Sequence, residues 1–306
     1  MSEHVDLVRR FAVEQQAVRG QYVRLGPAWL ALREHADYPP IVRRLLGEAS
    51  AAAVLLASTL KFDGELTVQM QGDGPLRLLV AQCTHDFRIR GVARFDRARL
   101  EALTSSDFAA LFGVGQVVVT VEASAAASRY QGIVPLDPNS LAASFGRYFE
   151  QSEQLPTAVA LAADDAGVTG LLVQRLPQAG GHATGIVGEH AAQQAFDRAR
   201  EALASLSADE LLSRPATELM QRSFAGLDLR LFDVQQVEFR CRCSQTRVTD
   251  MLRSIGADEV HSILAEQGVV TVTCEFCHKP WRFDAVDVAR LFGSPGSQAP
   301  SSGSLN

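Results

Sequence analysis

The chain has 306 residues, room for one large or two modest domains, and is 47% apolar and 21% charged, the balance of an ordinary globular protein. Its net charge of −6 argues against nucleic acid as the main partner, because phosphate binding leaves a basic footprint. The longest apolar run, AAAVLLA at 51–57, is too short to cross a bilayer.

The opening MSEHVDLVRRF carries no apolar export segment, so a cytoplasmic protein with reduced thiols is expected. Residues 1–180 read as an N-terminal α+β domain with a mainly antiparallel sheet and packed helices. PPIVRRLLGEASAAAVLLASTLKF (39–62) starts with prolines and continues in strong helix formers up to Asp63-Gly64, the pattern of a helix. ELTVQMQ and LRLLVAQ alternate apolar residues around Gly72-Asp73-Gly74-Pro75, a strand–turn–strand signal, and FRIRGVARF, GQVVVTVEA and RYQGIVPL extend it. The short connections favour antiparallel pairing. LAASFGRYFEQ (141–151) reads as a further helix, with TAVALAA and VTGLLVQRL as a last pair of strands. Cys83, far from the other four cysteines, reads as a buried thiol behaving as a small hydrophobe.

QAGGHATGIVG (178–188) lacks the Gly-Lys-Ser/Thr of a phosphate loop and marks a boundary. Beyond it the pattern from Glu189 to Val237 is helical. Phe196, Ala199, Leu203 and Leu206 form one apolar stripe, Ser207 with Glu210 fits a capping box, and Pro215 interrupts the helix that follows. Leu211, Leu212, Leu219, Met220 and Phe224 are the apolar residues of that stretch. Helices this short hold their shape only when docked, so 181–237 is expected to be a metastable helical linker that exposes these side chains when its docking surface is lost. The tail, 293–306, is small and polar and expected to be disordered.

Four of the five cysteines lie in the pattern C-x-C-x30-C-x2-C, formed by Cys241, Cys243, Cys274 and Cys277. The CEFCH stretch alone is compatible with haem attachment, a dithiol redox centre or half of a zinc site. Haem attachment needs export and leaves Cys241 and Cys243 unexplained. A thioredoxin-like dithiol opens a helix, which Pro280 opposes. Tetrahedral zinc uses all four thiolates. The intervening residues suit a small zinc domain over 238–292. Val248, Met251, Leu252 and Ile255 make one helical face ended near Gly256, and Val260, Ile263 and Leu264 a second ended near Gly268. VVTVT leads into CEFC, and Asp284 with Asp287 can cap AVDVARLF. His261 and His278 read as surface residues rather than ligands. A disulfide across C-x-C would close a small strained ring that is easily reduced, a property suited to a reversible switch.

At these residues the chain closely resembles the heat shock protein 33 family of redox-regulated holdase chaperones. KFDGELTVQMQGDGP (61–75), RGVARF (90–95), RYQGIVPL (129–136), FEQSEQLPT (149–157), VEFRCRC (237–243) and SILAEQG (262–268) resemble family segments in family order. The resemblance implies one zinc per reduced, inactive chain, held by Cys241, Cys243, Cys274 and Cys277. It implies that oxidation pairs Cys241 with Cys243 and Cys274 with Cys277, releases the metal, and unfolds the small domain and the linker. Unfolding client proteins are then bound without ATP, and the oxidised protein forms a homodimer. His278 and Trp281 stand where the family often has a small residue and, a little further on, a tyrosine.

No hydrolase elbow, phosphate loop or convincing carboxylate pair is present, so an enzyme is not expected. A constitutive zinc module that binds nucleic acid or a protein partner is the competing reading. Against its nucleic-acid version, 238–292 holds seven basic and eight acidic side chains.

Overall fold

The computed structural model describes residues 6–14, 16–123, 129–177 and 189–293. By contact the chain separates into two units, Met1–Arg240 and Cys241–Asn306.

The first unit opens with strands β1 (Leu7–Val13) and β2 (Val18–Leu25), the short helix α1 (Pro27–Arg33) and the long helix α2 (Pro40–Thr59). Strands β3 (Gly64–Gly72), β4 (Leu76–Thr84) and β5 (Arg88–Phe95) follow, then the brief helices α3 (Arg97–Glu101) and α4 (Phe108–Phe112). Next come β6 (Gly115–Ala123), β7 (Arg129–Pro135) and α5 (Leu141–Tyr148), which runs into a π-helical turn at Phe149–Glu153, and then β8 (Thr157–Ala163) and β9 (Val168–Arg175). Helices α6 (Glu189–Ala204), α7 (Ala208–Ser213) and α8 (Ala216–Ser223) lead to β10 (Leu229–Gln236) and the two-residue β11 (Glu238–Phe239).

Two sheets result, in the orders β11-β5-β4-β3-β6-β7 and β10-β1-β2-β9-β8. Every pairing is antiparallel except that of β11 with β5. The β3–β4 hairpin predicted around Gly72–Pro75 is present, and Asp73 steadies it by accepting the Val114 amide at 2.8 Å.

Helix α2 packs against both sheets and buries thirteen of its twenty residues. A helix enclosed in this way has little polar face to spare, which is why its charged residues are confined to Arg43, Arg44 and Glu48 in its first half. Its small residues bring the layers close: a Cβ built on Gly47 would lie 2.7 Å from that of Ala163. Leu66, Val68 and Met70 of β3 alternate into this core, and Cys83 is buried there as expected.

The other face of the five-stranded sheet is covered by α6, α7 and α8. Phe11, Tyr22, Leu171 and Val173 of the sheet pack with Phe196, Leu203, Leu211, Leu219, Met220 and Phe224 of the helices. Strand β9, covered on both sides, is accordingly buried at seven of its eight positions, a continuous apolar run rather than an alternation.

In the second unit α9 (Gln245–Ile255) and α10 (Ala257–Gln267) precede a hairpin of β12 (Val270–Thr273) with β13 (Pro280–Phe283), closed by α11 (Ala285–Phe292). Gly256 and Gly268 end α9 and α10 with φ of 103° and 73°. Asp284 and Asp287 form the expected capping box on α11. The core is small, made of Val248, Leu252, Val260, Val270, Phe283 and Val288.

The α+β architecture is as expected, with three local differences. The stretch 189–237 is not helical throughout: its helices end at Ser223, and Leu229–Gln236 is a strand on β1. The N-terminal segment, to which no element was assigned, supplies β1 and β2. The 141–151 helix turns π-helical after Tyr148, and Gln154 then ends it in the left-handed region. The joint at 178–188 and the tail beyond Gly293 lie outside the described residues.

Candidate metal centre and the helices docked on the sheet

The turn after β12 and the segment before α9 bring four sulfurs together. Cys274 and Cys277 sit on a tight turn in which the His278 amide donates to the Cys274 carbonyl at 2.8 Å and the Cys274 amide to the Lys279 carbonyl at 3.1 Å. His278 holds φ at 51°, in the left-handed region that favours glycine. Cys241 and Cys243 precede the Ser244 cap of α9, whose hydroxyl accepts the Arg247 amide at 3.2 Å.

All four Sγ atoms lie within 4.8 Å of one another, and they form the one such metal-ligating cluster among the described residues. The closest approaches cross between the two pairs: Cys241 to Cys274 at 3.6 Å and Cys243 to Cys277 at 3.5 Å. Sulfurs held about 2.3 Å from a tetrahedral zinc would stand roughly 3.8 Å apart, close to these separations, so the donor set is compatible with that ion.

The electrostatics point the same way. Burial opposes ionisation of Cys241, but the Cys243 amide and the thiols of Cys277, Cys243 and Cys274 hold it below the ordinary thiol range. Cys243 is pushed up by burial and by the charge on its neighbours. Cys277 is pushed up as well, by burial and by donating its own hydrogen bonds to the other three sulfurs. Without a cation the cluster favours ionisation at Cys241 and opposes it at Cys243 and Cys277. A divalent ion would replace the protons held there. His278 and His261 are exposed, as expected of residues outside the ligand set.

The stripe singled out in the sequence is buried against the five-stranded sheet. Phe196, Leu203, Leu211, Leu219, Met220 and Phe224 are buried, and Leu206 and Leu212 are partly so. Phe224 meets Phe11 edge-to-face with ring centres 4.9 Å apart. Arg24 of β2, not singled out in the sequence, donates to the carbonyls of Leu211 and Leu212 at the end of α7. An arginine on a strand carries no signal of which distant carbonyl it will reach, so this contact was not legible.

The sequence model of the family described as Hsp33 protein matches residues 6–284. The chain belongs to that family. Among curated relatives, the 33 kDa chaperonin of Nitrosococcus oceani is 39% identical over 94% of each chain. That of Ectopseudomonas mendocina is 40% identical over 97% of this chain and 98% of its own. The crystal structure of the 33 kDa chaperonin of Thermotoga maritima, a heat shock protein 33 homologue, superposes with a TM-score of 0.78 at 21% identity, covering 94% of this chain and 98% of that one. The family's fold is therefore this fold, and the names its members carry are those of chaperones. Among the described residues no helix is long and apolar enough to cross a membrane.

Proposed function

We propose that the chain is a redox-regulated, ATP-independent holdase that prevents aggregation of unfolding proteins during oxidative stress in the cytoplasm. The observation that carries this reading is the four-thiol cluster, set in a unit whose core, among the described residues, is six buried side chains with a rim of half-buried ones. Such a core is too small to hold the unit by itself, whereas structural zinc contributes on the order of 10–16 kcal/mol apparent. Cys241, Cys243, Cys274 and Cys277 hold one zinc per reduced chain.

Two peroxide molecules each take two electrons from one pair, Cys241 with Cys243 and Cys274 with Cys277, leaving two disulfides and four waters, the protons coming from the thiols or from solvent. The thiolate ligands are then consumed and the metal departs. The unit spanning 238–292 loses its stabilising ion, and α6, α7 and α8 of the 181–237 linker lose their docked state. Phe196, Leu203, Leu206, Leu211, Leu212, Leu219, Met220 and Phe224 then meet client proteins, and the active form is a homodimer. Binding by apolar surface asks for no catalytic residue and no ATP, and the protein is not an enzyme in this reading.

The test is zinc content and client aggregation followed together, before and after peroxide at raised temperature. About one zinc per chain, lost as aggregation is suppressed and restored with reductant and zinc, is the expected result. Zinc retained with no gain in holdase activity would leave the four thiols a structural clamp and favour a constitutive binding module.

A further inference from the structure

Strand β10 fills the edge of the five-stranded sheet in an unusual way. It pairs with β1 from Leu7↔Gln236 to Val13↔Leu229, with a bulge between Arg9 and Phe11. The Glu14 amide donates to the Asp228 carbonyl at 2.8 Å just beyond the ladder, and Arg9 Nε donates to the Phe232 carbonyl at 3.0 Å. Yet none of its eight side chains is buried, and Leu231 and Val234 remain 41% and 43% exposed. The strand is held mainly by its backbone, helped by half-buried Leu229 at its start and by Arg10 over the Phe232 ring at 5.6 Å, so the edge it occupies is indifferent to most of its sequence. Beneath that edge, Phe11 and Val13 of β1 face the helices, and Phe11 is covered by Phe224 just past α8.

Both flanks of β10 are tied to the elements that the switch acts on. Upstream lies α8. Downstream, Val237, Glu238 and Arg240 donate to the carbonyls of Asp6, Phe87 and Ile89 at 3.1, 3.1 and 3.0 Å, and Cys241 follows directly. Loss of the helices and of the zinc unit frees both ends of a strand that buries no side chain to resist. The released edge presents a row of unpaired N–H and C=O groups beside newly bared Phe11 and Val13, a template for strand addition.

We propose that the β1 edge, vacated by β10, captures extended segments of unfolding polypeptide by strand addition. This rests on the holdase reading and adds to the apolar stripe a second capture surface on the sheet edge. The backbone ladder supplies affinity for almost any sequence, and Phe11 and Val13 favour apolar side chains at alternate positions. Arg9 and Arg10 of β1 disfavour segments rich in Lys or Arg.

The experiment is hydrogen exchange on the full chain, reduced and oxidised, with and without reduced carboxymethylated α-lactalbumin as a permanently unfolded client. Suppression of aggregation of a heat-denatured enzyme is measured on the same samples. Oxidation is expected to speed exchange of β1 amides by at least about tenfold, and client to restore their protection. A synthetic LRLFDVQQ peptide should compete with the client, and the same peptide N-methylated at alternate residues should not. If β1 stays protected on oxidation, or stays open with client bound while aggregation is suppressed, this proposal falls and the holdase reading stands. If β1 recovers protection without client as protein concentration rises, a second copy's β10 fills the edge and the proposal is equally overturned. If the oxidised protein suppresses no aggregation, the holdase reading itself falls, and the capture surface with it.

Discussion

His278 sits directly after Cys277 with φ at 51°, and a Cβ-bearing residue is strained there. Its side chain is exposed and stands outside the four-sulfur cluster, so the strain serves no contact there. His278→Gly is expected to stabilise the zinc-loaded second unit by about 0.5–1 kcal/mol, read as a higher concentration of chelator needed to unfold it. Cys83 is a contrasting case. Burial, and then the charges of Asp86 and Glu65, push its thiol far above the ordinary range, and it lies fully within the core. In native protein stripped of zinc, iodoacetamide should label Cys241, Cys243, Cys274 and Cys277 and leave Cys83 unmodified, as peptide mass mapping will show. Glu48 on α2 is pushed up to about 7 from 4.5, by burial that outweighs nearby Arg44. Its folded form favours the protonated carboxyl. Stability is therefore full below about pH 4.5 and falls as pH rises towards 7, by about 3 kcal/mol at most. Glu48→Gln should remove that slope and raise the urea midpoint at pH 8.

At the scale of elements, the decisive features are helices too short to stand alone. α6, α7 and α8 have 16, 6 and 8 residues, and each owes its form to the sheet beneath. Ser207 and Glu210 close the capping box expected of α7, and Glu210 also receives Arg214 and Arg222. These ion pairs are exposed and contribute little. The Arg24 contact to the last carbonyls of α7 is partly buried, and a charged donor there is worth about 1.5–3 kcal/mol. Arg24→Gln is expected to raise exchange across α7 in reduced, zinc-loaded protein without loss of zinc. Zinc content measured beside exchange separates a loosened helix from a damaged metal centre. The capping box was legible because it is written within four consecutive residues. β10 was not, because LRLFDVQQ has no buried face and hence no apolar alternation to read.

For the whole molecule, the second unit, with its small core and four-cysteine cluster, is the weak point. Chelation of the metal is expected to unfold Cys241–Gly293 while the α2 core keeps its circular dichroism and its protection, since that core draws on both sheets and none of it on the metal. By itself the sequence determined the long buried helix, the antiparallel hairpins, the apolar stripe from Phe196 to Phe224 and the spacing of the four cysteines that cluster. Each is encoded locally, in a period, a turn or a cysteine spacing. Only the tertiary structure decided that β1 and β10 meet across more than two hundred residues, that Arg24 reaches α7, and that the stripe lies on β2 and β9. Those contacts depend on which surfaces remain unburied once the local elements have formed, and chain-distant packing leaves no periodic trace in either partner.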